Sequence, residues 1–225
     1  MLIAEDLVLL VTDDETGKRS VTGTGYDAAL GGALLMELAL RERVDVEGEG
    51  RRTRVFVRDG SPTGEPLLDD ALARLSAGGP VPPKKAVTEL AKKASERVHD
   101  SLAARGILRR EEGRVLGIFP VTRWPAEHSA HEAGLRAQLH GVLVLGVQPT
   151  PEIAATVSLL RAANLLSAVV DRADRKVAKQ RAKEIESLDW ASDGVRRVVE
   201  AADAAVLAAV MAATAATTAS TTVSS

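Results

Sequence analysis

The stretch AALGGALLMELAL, residues 28–40, constrains this chain more than any other. From Ala28 to Met36 it is apolar on every face of a helix, with no charge. A helix of that kind is buried at the centre of a fold rather than laid on its surface. Gly31 and Gly32 sit inside it, although each costs about 1 kcal/mol relative to Ala in a helix interior. The pair therefore predicts a close neighbour, and the missing side chains are read as admitting another helix. The helix is placed at 27–43, with Asp27 as N-cap and Glu37 paired with Arg41 near its exposed end.

Other elements follow from period and punctuation. LIAEDLVLLVTD reads as a short helix, a strand, or both in turn. Val44 and Val46 alternate, EGEG turns the chain, and Val55 and Val57 alternate again, which is a β-hairpin. DGSPTGEP is a tight loop, and LLDDALARLSA is a helix closed by GGP. Residues 84–105 read as one basic helix, and 107–124 as a second hairpin turning near Glu112, Gly113 and Arg114. Beyond 127 the pattern is helical, with Thr150 as N-cap and Pro151 at N1 of the clearest segment. The fold class is mainly α with β-hairpins: a single-domain helical bundle around a buried central helix, with a protruding basic and apolar hairpin. The domain is placed at 1–213, and 214–225 is expected to be a disordered Ala/Ser/Thr tail.

Composition removes several chemistries. Cysteine is absent, which excludes disulfides and thiolate metal sites. His128, His131 and His140 with Glu132 do not share one helix face, and are read as surface histidines with no metal site. GSPTGEP lacks the pattern of a nucleophile elbow, and GTGYDAALGG lacks that of a phosphate-binding P-loop. No catalytic set and no cofactor is expected. The N-terminus has no basic region of a signal peptide, and no stretch of about 20 apolar residues free of charge is read, the uncharged segment after Asp203 being mostly Ala, then Thr and Ser.

One region departs from the nearly neutral whole, whose formal net charge is −2. Between Lys84 and Arg123 ten basic residues face five acidic ones. Lys93 and Arg97 share a helix face with Lys92 beside them, an arrangement suited to an anionic headgroup. In the second hairpin, Arg110 and Arg114 accompany Val115, Leu116, Ile118 and Phe119, which suit a membrane interface or self-association. A solvated basic helix and a core-packed hairpin explain the same residues.

LGGALLMELALRERV, DGSPTGEPLLDDAL and ERVHDSLAARGILRREEGRV, in this order and spacing, resemble the Golgi phosphoprotein 3 family. The resemblance runs from about residue 3 to about 213, and Arg- and Ala-rich usage fits a bacterial member. It implies a non-enzymatic helical domain with a prominent hairpin. It also implies peripheral binding to phosphatidylinositol 4-phosphate and adaptor contacts with short cytosolic tails of membrane proteins. In the family the hairpin, here RREEGRVLGIF, supports membrane insertion and self-association, hence a homo-oligomer. Ungapped matching of the family's lipid pocket puts Val21 at its Trp, Leu30 at its first Arg, and Lys92 and Ser95 at its two helix positions. Only Lys92 keeps a positive charge, and Lys93 and Arg97 are the neighbours placed to compensate. The implied location is cytoplasmic, peripheral on the inner face of the membrane. Two further readings stand beside this one. The first is a cytosolic protein-binding adaptor or scaffold without lipid binding. The second is a winged-helix-like nucleic-acid binder, which the net charge disfavours.

Overall fold

Gly31 and Gly32 explain how the molecule is assembled. In the computed structural model, the central helix α2 (Thr24–Leu40) lies between helix α4 (Pro83–Ala91) and the long helix α10 (Asp193–Thr222). A Cβ on Gly31 would lie 2.5 Å from the Val87 carbonyl oxygen and 2.8 Å from the Ala91 amide nitrogen, both backbone atoms of α4. A Cβ on Gly32 would lie 2.5 Å from a methyl of Val206 on α10. Each glycine thus seats one helix, and between them Leu30, Ala33, Leu34, Leu35 and Met36 are fully buried. The structure describes residues 1–19, 24–115, 119–127 and 130–222, with side chains for 1–19, 25–112, 122–127 and 130–215.

Around this triple layer the remaining elements pack in turn. Helix α1 (Ile3–Val11) is almost wholly buried against α2, α5 (Ala94–Ala104) and α6 (Ala130–Leu143). The first hairpin, β1 (Val44–Glu47) with β2 (Arg54–Val57), pairs Val44 with Val57 and Val46 with Val55, as the alternation predicts. Val55 also bridges to Val81, tying the sheet to the loop before α4. Helix α3 (Pro66–Ser76) buries Leu68, Ala71 and Leu72. Helix α7 (Pro151–Ala162) starts at the expected N-cap, where Thr150 Oγ1 accepts from the Ile153 amide at 3.4 Å. The short α8 (Leu166–Val169) and the charged α9 (Arg175–Glu186) follow. Helix α10 carries on past residue 213; Val198, Ala202 and Val206 are buried, while Leu207 and Met211 are exposed. By length and composition Asp193–Ala215 is apolar enough to cross a membrane, yet α10 packs along α2, α4, α7 and β1.

Three sequence expectations need correction. The helix expected at 84–105 is two helices, broken at Lys92 and Lys93, with Lys93 in the left-handed region (φ 55°). Tertiary contacts impose the break, because α4 must lie against Gly31 while α5 reaches α1. Arg97 ties the break together: its guanidinium donates to the Leu90 carbonyl at 2.7 Å and the Lys92 carbonyl at 3.0 Å, and pairs with Asp70 of α3. Second, Glu112, Gly113 and Arg114 are not a turn but lie within β3 (Glu111–Val115), paired with β4 (Phe119–Arg123). Third, α2 begins at Thr24, so Asp27 lies in its first turn rather than at its cap.

Two buried carboxylates of α1 and α2 serve the fold. Glu5, fully buried, accepts from the Leu2 amide, Ser101 Oγ and Arg105 Nη1, the last at 2.8 Å. Glu37 accepts from the Ile3 amide at 3.0 Å and pairs with Arg41 at 3.0 Å. Both ends of these bonds are needed, since a buried carboxylate without partners is costly. The SPTG loop is likewise structural. Thr63 donates its amide and hydroxyl to Asp69 in the first turn of α3, at 2.6 and 2.7 Å, and these bonds hold the Asp69 carboxyl below its ordinary pKa.

Candidate functional site

The break between α4 and α5 opens a hollow. Its volume is about 490 Å³, and its walls include Arg19, Lys93, Ser95, His99, Arg110 and Trp124. Three segments far apart in sequence meet here: the turn after α1, the first turn of α5, and the base of the second hairpin. The hairpin is held by backbone bonds from Arg109 to Pro125 and from Trp124 to Gly17. Gly17 has φ 60°, and a Cβ there would lie 2.4 Å from the Trp124 amide nitrogen.

The cations are held in place by neutral and acidic neighbours. Arg19 Nη1 donates to Ser95 Oγ at 3.3 Å, and its guanidinium carbon stands 5.0 Å from the Tyr26 ring centroid. Arg110 stands 5.7 Å from the Trp124 ring, with longer ion contacts to Asp100 (3.9 Å) and Glu112 (3.2 Å). Lys93, at the N-cap of α5, has no ion pair among the described residues. No side chain caps that helix end, which carries the positive end of the helix dipole. His99 stacks on Trp124, with ring centroids 5.0 Å apart, and donates from Nδ1 to the Ser95 carbonyl at 2.6 Å. Burial, reinforced by the positive charge of Arg19, pushes the His99 pKa down and keeps the ring neutral. Asp27, Glu96 and Asp100 also border the hollow, and burial pushes the Asp27 carboxyl up while the Arg19 charge opposes the shift.

Of the residues singled out from sequence, Lys93 and Ser95 line this hollow and Arg110 joins them from the hairpin. Lys92 does not: its ammonium turns to Glu89 at 2.5 Å. Arg97 is occupied in closing the helix break, and Leu30 is fully buried in the core. Val21, Leu116 and Ile118 lie outside the described residues. Arg114, Val115 and Phe119 are placed by backbone alone, as the inner pairs Arg114–Pro120 and Val115–Phe119 of the second sheet. His131 binds Asp6 at 2.8 Å, and no group of three metal-ligating side chains occurs among the described residues. Arg19 and Trp124 were missed. Arg19 carries no local signal, while Trp124, one of two tryptophans, marked a site only by its rarity.

The fold is a helical domain with a hairpin at its side and a hollow at the hairpin base. Residues 3–202 match the family model described as Golgi phosphoprotein 3 (GPP34), and the chain belongs to that family of non-enzymatic adaptors. A curated relative is the Vacuolar protein sorting-associated protein 74 of Eremothecium gossypii, 27% identical over 164 residues. The match covers 64% of this chain and 49% of that relative, so the chain spans about half the relative's length.

Proposed function

We propose that this protein is a peripheral membrane-associated adaptor whose hollow at the α4–α5 break receives a phosphorylated anionic headgroup. The observation that carries this reading is the coincidence of Lys93, Arg19 and Arg110 with an uncapped helix N-terminus in one open hollow. Phosphate oxygens are matched by guanidinium, ammonium and free helix amides, each an established anion partner. Family membership supports phosphatidylinositol 4-phosphate as the lipid and short cytosolic tails of membrane proteins as cargo. The second hairpin, with Arg110 and Arg114 beside Val115 and Phe119, would add shallow interface contact or pairing with a second copy. On this reading the protein works in the cytoplasm of a bacterial cell, at the inner face of the membrane.

The attraction between Arg19, Lys93, Arg110 and an anionic headgroup is screened by salt, so binding is expected to weaken as salt rises. Liposome flotation tests this. The protein should float with vesicles carrying phosphatidylinositol 4-phosphate at low salt, less with phosphatidylserine, and not with phosphatidylcholine alone. The Arg19→Glu, Arg110→Glu double variant should stay at the bottom of the gradient. Absence of flotation on every anionic vesicle at low salt would overturn the lipid reading and leave a cytosolic protein-binding adaptor.

A further inference from the structure

A second hollow, sharing no wall residue with the first, lies between α7, the end of α9 and α10, and its volume is about 430 Å³. Its apolar walls are Trp190, Val199, Ala162 and Leu207, and Leu207 is half exposed at the rim. That size and lining suit a small organic ligand.

Its polar groups are unequal. Arg161 is paired with Glu186, and Arg196 with Asp189 and Asp193. The charges on the rim are therefore largely neutralised, although Arg196 Nε has no hydrogen-bond partner among the described residues. Asp203 differs. Its Oδ2 accepts from Ser158 Oγ, but Oδ1 is screened from solvent and has no hydrogen-bond partner among the described residues. Glu200 adds a further acid to the wall. A buried carboxylate oxygen lacking a donor is costly, and a native structure that keeps one calls for an explanation.

We propose that this hollow binds a small organic cation, a primary ammonium on a compact apolar body, with the ammonium drawn to the Asp203 carboxylate beside Ser158. The apolar body would rest on Trp190 and Leu207, and the ring face of Trp190 adds attraction for the positive charge. Glu186 and Glu200 reinforce the negative field, while Arg161 and Arg196 oppose it. Burial, with lesser help from Glu186 and Glu200, raises the Asp203 pKa to about 7. Binding should therefore strengthen from pH 6 to pH 8 as the carboxyl ionises.

Benzylammonium is a suitable probe and benzyl alcohol its uncharged counterpart, both titrated into the full chain at pH 8 with calorimetry and with Trp190 emission in a Trp124→Phe background. The expected result is binding of benzylammonium at least about tenfold tighter than benzyl alcohol, with that preference gone in Asp203→Asn. Asn keeps the acceptor for Ser158, and the variant's folding is checked by its thermal transition. Equal binding of the two probes, no binding of either, or a preference that survives Asp203→Asn would each overturn the proposal.

Discussion

Gly31→Ala is expected to destabilise the domain by about 2 kcal/mol or more, despite placing a better helix former in the helix interior. The new methyl would sit 2.5 Å from the Val87 carbonyl oxygen and 2.8 Å from the Ala91 amide nitrogen. Neither atom can rotate away, so α4 must shift as a body. That shift also disturbs the Leu90 and Lys92 carbonyls that Arg97 holds. Gly32→Ala meets side-chain methyls, Val206 at 2.5 Å and Leu159 at 3.4 Å, and should cost less. Because the nearer neighbour is a side chain, adding Val206→Ala should recover part of the loss, a coupling a double-mutant cycle measures. Urea unfolding of Gly31→Ala and of the four proteins of the cycle gives the comparison. A Gly31→Ala variant as stable as the parent would mean that α4 is not seated on α2 there.

Asp203→Asn should have the opposite sign at alkaline pH. Asp203 titrates at about 7 in the folded protein, against an ordinary value of 3.8. An acid whose folded pKa is raised binds more protons folded than unfolded between those values, so its contribution to stability falls as pH rises from about 4 to about 7. The full span of that shift would approach 4 kcal/mol, and water reaching part of the residue reduces it to about 2 kcal/mol. The variant should therefore be more stable than the parent by about 2 kcal/mol at pH 8 and nearly equal to it at pH 4. Chemical denaturation at both pH values measures the difference between the two proteins, which cancels the titration of every other group. A variant less stable than the parent at pH 8 would contradict the burial of a lone carboxylate at this position.

Much of the core was legible because its signals are local. The all-round apolar helix, its paired glycines, the alternating valines of the first hairpin and the Thr150–Pro151 start are each written in a few adjacent residues. The break at Lys92 and Lys93 was not. Nothing in KKASERV opposes helix, and the break comes from Arg97 reaching Asp70 on another element and from two helices seated on different neighbours. The binding hollow was hidden for the same reason. Ungapped matching pointed to Leu30 and Lys92, one buried and one turned to Glu89. Lys93 and Ser95 were in reach because they lie beside the break. Arg19 and Trp124 join them only once the turn after α1 and the hairpin base are brought together through Gly17. Of the positions given by the family resemblance, Ser95 lines the hollow, while Leu30 and Lys92 do not.

The central claim is that the hollow at the α4–α5 break, and not the exposed basic surface of α4, holds the anion. Trp124 emission tests it most directly, with Trp190→Phe as the background so that Trp124 is the remaining tryptophan. Inositol 1,4-bisphosphate is titrated into this protein and into its Lys93→Glu and Lys92→Glu variants. The expected result is a saturable change in Trp124 emission, weakened at least about tenfold by Lys93→Glu and by less than about twofold by Lys92→Glu, since only Lys93 reaches the hollow. Equal weakening by the two variants, or no change in Trp124 emission at saturating headgroup, would contradict it.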